Sequence, residues 1–162
     1  MARQIQLRED EIVVELGVGG GAITDQILPV LRNKEQYVGF ELNDRLFKYL
    51  HDEKYPDLEI HHASAENLTK IVGTRRVGAV VSTLPWSLFS DPVRKNILDQ
   101  IEGALVPGGT FCVFLALHVL WTNSAKTFWS ELTARFPNCS YGEEVWNIPP
   151  CRLFFGRKSW EN

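Results

Sequence analysis

Residues 12 to 28, "IVVELGVGGGAITDQIL", constrain the fold more than any other stretch. Four apolar residues with one buried-looking carboxylate lead into a run of glycines, and the glycines lead into an amphipathic helix. A glycine turn between a parallel strand and a helix lets the backbone approach a ligand closely and belongs to open α/β sheets. Gly17, Gly19 and Ala22 satisfy the G-x-G-x-x-A spacing that elsewhere cradles a dinucleotide pyrophosphate. Glu15 stands two residues before the first of these glycines, where it would repel a phosphate.

The rest of the chain repeats this alternation. Strands are expected over residues 11–16, 37–42, 58–63, 77–84 and 110–117, and helices over 22–31, from 43 or 44 to about 55, over 91–105 and over 124–136. Pro29 should shorten the first helix, Asn43 or Asp44 should cap the second, and Ser64 should open a helical turn. Asp91 is expected as cap of the fourth, with Pro92 at its first position. The apolar 110–117 run suits a central strand covered on both faces. Residues 106–109, "VPGG", read as a turn. Two last strand-like pieces, 141–146 and 152–158, are joined by only "NIPP" and so should pair antiparallel. The expectation is a doubly wound α/β sheet of Rossmann-like type closed by a C-terminal hairpin, with its ligand at the carboxyl ends of the strands.

Length and composition set further bounds. The chain has 162 residues, 44% of them hydrophobic, which fits one domain, 1–162, with its own core. The longest apolar run, 111–117, is far short of a membrane span, and a cytoplasmic protein is expected. Cys112, Cys139 and Cys151 show no C-x-x-C spacing, so neither a disulfide framework nor a zinc site is expected. A net charge of -3 gives no general attraction to nucleic acid.

Glu15 decides between the two ligands such a loop can take. A pyrophosphate is disfavoured, whereas S-adenosylmethionine carries an ammonium and a sulfonium and no phosphate. Glu41, closing the second strand, can accept ribose hydroxyls from either ligand and does not separate them.

"VVELGVGGGAITDQIL", "VGFELNDRLFKYL" and the final hairpin resemble the class I S-adenosylmethionine-dependent methyltransferases over nearly the whole chain. That resemblance implies a seven-stranded sheet with a reversed last strand. It implies a cofactor site of Glu15, Gly17, Gly19, Gly21, Glu41, Leu42 and Ser82, with Ser64, Ala65 and Glu66 of "HASAENL" at the adenine. "STLPW", residues 82–86, resembles the N-[LI]-P-[YF] loop of adenine N6-methyltransferases, with Thr83 in place of the asparagine. "VVSTLP" and "NIPP" together resemble the bacterial phospholipid N-methyltransferases, which implies methylation of a phosphatidylethanolamine-type amine.

Acceptor positioning is expected from Thr83, Pro85 and Trp86, with the Trp86 ring facing the cationic product and Phe89, Trp121 and Trp146 as further walls. No general base stands out. His118 ends the fifth strand, and His61 and His62 face opposite ways, which argues against a metal pair. Residues 1–10 show no counterpart of an amphipathic membrane-binding helix, which leaves three expectations open: a peripheral membrane contact made elsewhere, a soluble amine acceptor, or a shortened form of a longer chain. The alternatives are an RNA or DNA adenine N6-methyltransferase, a methyltransferase of a soluble small amine, and a cofactor-binding module without turnover. Nucleic acid is the less expected partner, and oligomeric state is left open.

Overall fold

The first strand, β1 (Glu11–Leu16), is buried along its whole length, including both glutamates. Parallel strands with helices on both faces have no solvent side, which is why its sequence is an apolar run rather than an alternation. In the computed structural model, which describes residues 5–116, 122–145 and 151–160, β1 pairs in parallel with β2 (Tyr37–Glu41) and β4 (Arg76–Ser82). Outside them lie β3 (Glu59–His62) and β5 (Leu105–Ala116), again parallel. The chain then reverses: β7 (Cys151–Arg157) pairs antiparallel with both β5 and β6 (Asn138–Val145). The seven-stranded order is β3-β2-β1-β4-β5-β7-β6. Strand order turns outward in both directions from β1 and β4, so their carboxyl ends open a crevice at the switch point.

Alternation along the strands sorts the core into two layers. Val14, Leu16, Phe40, Val80 and Phe111 pack against α3 (Leu68–Val72), α4 (Asp91–Ala104) and α5 (Asn123–Arg135). Val13, Tyr37, Ala79 and Cys112 face Ile27 of α1 (Thr24–Ile27) and Leu50, which follows α2 (Asp44–Tyr49). Glu15 shares the parity of Val13 and lies in this second layer.

Several boundaries differ from expectation for identifiable reasons. Helix α1 is a single α turn followed by a 3-10 turn, Leu28–Val30, because Pro29 has no amide hydrogen to continue the α pattern. Ser90, not Asp91, is the N-cap residue of α4, so Pro92 takes the second helical position. Strand β4 ends at Ser82, where the chain leaves the sheet. Strand β5 begins at Leu105 and carries the expected turn inside it as a bulge. Val77 pairs with Leu105 but Ala79 with Thr110, and Gly108 adopts φ +76° within the extra residues. Trp146 and the "NIPP" turn lie outside the described residues.

A buried cation ties α4 to α5. Arg94 Nε donates to Glu131 Oε2 at 2.7 Å and Nη2 to Glu131 Oε1 at 3.3 Å, while Nη2 also reaches Asp91 Oδ1 at 2.9 Å. Its side chain is 1% exposed and that of Glu131 is 16% exposed, so removing one partner strands a charge. Arg94→Ala is expected to cost about 3 kcal/mol of stability, with only partial recovery in Arg94→Lys, which lacks the two-pronged guanidinium. Urea unfolding midpoints of the two variants check this.

Candidate active site

The crevice holds a cleft of about 670 Å³ whose walls come from four strand ends: Gly17 and Gly19 after β1, Glu41 and Leu42 at β2, Ser64 to Glu66 after β3, and Thr83 to Pro85 after β4. Phe89, Val93 and Ile97 close it from the side of α4.

The glycine loop is fixed by bonds that only its unusual backbone permits. Gly17 N and Val18 N both donate to Phe40 O, at 2.9 and 3.1 Å. Gly17, Gly19 and Gly21 have φ of +83°, +59° and +83°, a region that residues with a Cβ rarely occupy. A Cβ on Gly17 would also lie 3.1 Å from Leu84 Cδ2, because the β1 and β4 loops are in contact there.

Glu41 joins the loop to the second strand. Its Oε2 accepts from Gly19 N at 2.7 Å and its Oε1 from Asn43 N at 2.8 Å. Each carboxylate oxygen has a second lone pair, so the group can still accept hydroxyl protons from a ligand in the cleft. Ser64 caps the turn that follows β3, accepting from Glu66 N at 3.2 Å, and Glu66 Oε1 accepts from Asn96 Nδ2 at 2.9 Å. His62 stacks on Phe47 with ring centroids 5.1 Å apart and lies 3.0 Å from Leu42 O, which steadies the rim.

Four expected site residues do not line this cleft. Glu15 is fully buried under the glycine loop, where its Oε2 accepts from Tyr37 Oη at 2.7 Å and Thr24 Oγ1 at 2.8 Å. Its Oε1 has no hydrogen-bond partner among the described residues. Burial raises its pKa from 4.5 to about 7, outweighing the Tyr37 and Thr24 hydrogen bonds, and the nearby Asp25 and Glu41 charges push the same way. The neighbouring Tyr37 hydroxyl is pushed well above its ordinary value, chiefly by burial and then by the Glu15 charge. Gly21 packs against Tyr55 on the far side of the loop.

Trp86 is the third. Its side chain does not line the cleft: it stacks on Phe128 at 4.6 Å, edges onto Phe89 and Phe111, and is 2% exposed. An indole next to a sheet edge gains more from apolar burial with a satisfied N–H than from facing the open cleft. Ser82, the fourth, is that satisfying partner. Its buried Oγ accepts from Trp86 Nε1 at 3.1 Å and from Leu84 N at 3.3 Å, which folds the 83–86 turn. Thr83 lines the cleft, but its hydroxyl donates to Gly17 O and so ties the two loops together. Pro85 lines the cleft directly.

Gly17, Gly19, Glu41, Leu42, Ser64, Ala65, Glu66, Thr83 and Pro85 therefore share one cavity. His118 and Trp121 lie outside the described residues. Asn43, Leu84, Val93 and Ile97 also line the cleft and were not foreseen. Val93 and Ile97 were within reach, since the Pro92 helix start puts residues four apart on one face.

The residues fit a cationic nucleoside ligand. The loop carries glycines where a backbone must come close, a carboxylate at the second strand end, and beneath it a buried carboxylate with one oxygen unpartnered. A seven-stranded sheet with this order and a reversed last strand is the fold of the class I methyltransferases.

Comparison with known proteins agrees. Residues 13–109 match the family described as "Methyltransferase domain". The chain is 26% identical over 161 residues to an ornithine lipid N-methyltransferase from Singulisphaera acidiphila, covering 96% of this chain and 80% of that protein. It is 24% identical over 108 residues to ribosomal RNA small subunit methyltransferase A from Thermotoga neapolitana, covering 65% of this chain but only 39% of that protein. Among solved structures, the N-methyltransferase NodS from Bradyrhizobium japonicum superposes with a TM-score of 0.70 at 14% identity, covering 92% of this chain and 86% of NodS. The chain belongs to the methyltransferase domain family and is a class I S-adenosylmethionine-dependent methyltransferase. S-adenosylmethionine is its methyl donor.

The Glu15 environment has a pH signature. The unfolded chain ionises Glu15 near 4.5, while the native state keeps the proton until about 7, so this group's stabilisation is complete below pH 4.5 and is lost as pH rises to 7. The loss is expected to be on the order of 3 kcal/mol. Denaturant titrations of wild type and Glu15→Gln across that window should diverge, with the variant the more stable partner above pH 7. Parallel pH profiles would place Glu15 in solvent.

Proposed function

We propose that this methyltransferase methylates the amine of an amino-lipid head group at a membrane surface. The observation that carries the proposal is the likeness to the ornithine lipid N-methyltransferase, which covers 96% of this chain and 80% of that protein. The matches of "VVSTLP" and "NIPP" to phospholipid N-methyltransferases support the same reading.

The acceptor side of the cleft agrees with an aliphatic amine rather than a nucleobase. The loop resembling that of the adenine N6-methyltransferases has Thr83 where their asparagine supplies a side-chain carbonyl, and the Thr83 hydroxyl proton is donated to Gly17 O. The walls beyond are Leu84, Pro85, Phe89 and Val93. An apolar surround disfavours the ammonium form of an amine whose pKa in water is near 10, and so favours the neutral lone pair that methyl transfer requires.

S-adenosylmethionine, held by the glycine loop, Glu41 and the 64–66 turn, supplies an electrophilic methyl group. The chain's own contribution is placement: the Thr83 tie to Gly17 O and the Ser82–Trp86 bond fix the 83–86 loop against the glycine loop, a rigid frame that would hold an amine for attack on the methyl group the cofactor supplies. Glu41 and Glu66 hold protein donors at the loop and at Asn96, and the cleft is open to solvent, so water can take the amine proton.

Incubation with methyl-labelled S-adenosylmethionine and vesicles containing ornithine lipid or phosphatidylethanolamine should move label into the lipid phase. Label recovered only on soluble amines or on RNA overturns the lipid reading.

The membrane contact in this proposal is assigned to the rim. Leu42 is 67% exposed at the cleft edge, and Leu88, in the turn after Pro85, is 80% exposed. Among the described residues no helix is long and apolar enough to cross a membrane, so contact would be peripheral. Leu88→Ser should reduce the vesicle partition coefficient in flotation about five- to thirtyfold, by removing roughly 1 to 2 kcal/mol of apolar burial, while leaving cofactor affinity unchanged. Equal flotation of variant and wild type would remove Leu88 from the interface.

A further inference from the structure

We propose that Lys54, Tyr55 and Asp25 form a clasp on the outer side of the glycine loop that sets the affinity for S-adenosylmethionine without touching the cleft. Lys54 Nζ donates to Gly20 O at 2.9 Å and to Asp25 Oδ2 at 3.0 Å. Tyr55 Oη donates to Gly21 O at 3.0 Å and to Asp25 Oδ1, sharing its one proton between them. The Lys54 ammonium also lies 4.9 Å from the centre of the Tyr55 ring. Asp25, in the single turn of α1, receives both donors and so links the clasp to the helix that the loop opens.

The geometry depends on an irregular helix end. After α2 the chain widens into a π-turn, Leu50–Lys54, in which Tyr55 N donates five residues back to Leu50 O at 2.7 Å. Such single π-turns accompany functional positions. Here the wider turn brings two successive side chains to the same loop, anchored by fully buried Leu50.

Gly21 acquires a reason from this contact. A Cβ there would lie 2.5 Å from Tyr55 Oη and 2.8 Å from Lys54 Nζ, so the last glycine of the loop makes room for the clasp, not for the ligand. Glu41 holds Gly19 from the cleft side while Lys54 and Tyr55 hold the Gly20 and Gly21 carbonyls from behind. The loop is thereby fixed in the conformation a ligand meets, and ligand binding need not order it.

These are positioning residues. Tyr55→Phe and Lys54→Met should each raise the dissociation constant for S-adenosylhomocysteine, measured by calorimetry, about three- to tenfold. With the methyl acceptor in use, KM for S-adenosylmethionine should rise by the same factor with kcat unchanged, and Lys54→Arg should restore most of the affinity. Hydrogen exchange of the unliganded protein should show faster amides in residues 17–22 of both variants, a readout independent of any ligand. Unchanged affinity and unchanged exchange in Lys54→Met, whose side chain is 25% exposed and lies outside both core clusters, would overturn the proposal. So would a fall in thermal stability of Tyr55→Phe with no change in exchange at 17–22.

Discussion

The amide of Gly19 and the carboxylate of Glu41 meet at 2.7 Å across the ends of two neighbouring parallel strands, and the cleft takes its shape from that bond. Parallel pairing of β1 with β2 puts both carboxyl ends on one edge, and a glycine backbone is what allows the loop to turn over the end of β2. The Thr83 hydroxyl repeats the device toward β4, bonding Gly17 O. The loop is thus bridged to the strand on either side of its own. Each bridge uses one main-chain group of a glycine and one side chain from the last residue of a strand or the first beyond it.

Beneath the loop the electrostatics run the other way from a phosphate cradle. Glu15 is buried with one oxygen unpartnered and its pKa raised to about 7, so near neutrality the native protein holds it partly protonated. A cationic ligand brought to the loop favours the carboxylate form and so draws the proton off. Cofactor binding at this loop would thereby be linked to proton release from Glu15, whose desolvation also removes stability as pH rises from 4.5 to 7. A pyrophosphate would work against the carboxylate form. The discrimination that the sequence motif leaves open would then be made by a residue the ligand need not contact.

Legibility from the sequence follows burial. Strands β1, β2 and β4 were readable because burial on both faces makes each a largely apolar run, and the glycine loop, Glu41 and the 83–85 turn were readable because they stand at the ends of those runs. Arg94 was not readable. It lies in the row of Leu98 and Ile101, and a cation there reads as a solvent position until Glu131 of another helix is placed beside it. Trp86 was misplaced for a related reason: an aromatic after a loop can turn outward or inward, and the hydrogen bond to Ser82 that turns it inward depends on where β4 ends. Lys54 and Tyr55 left no local trace, since their partners lie some thirty residues earlier and the π-turn that aims them has no sequence signature of its own.

The inward turn of Trp86 changes what recognises the acceptor. With that ring in the core against Phe128 and Phe111, a cationic product would find aliphatic and proline surface in the 84–85 turn and the partly buried ring of Phe89. Such a surface stabilises a cation weakly compared with a full aromatic cage. For the amine acceptor proposed above, weak retention would suit a product that carries more positive charge than the substrate, because the same apolar wall that favours the neutral amine before transfer disfavours the charged one after it. The cleft would thereby assist both deprotonation of the substrate and departure of the product, and a head group tethered to a membrane would need no deeper pocket to be held near the methyl donor.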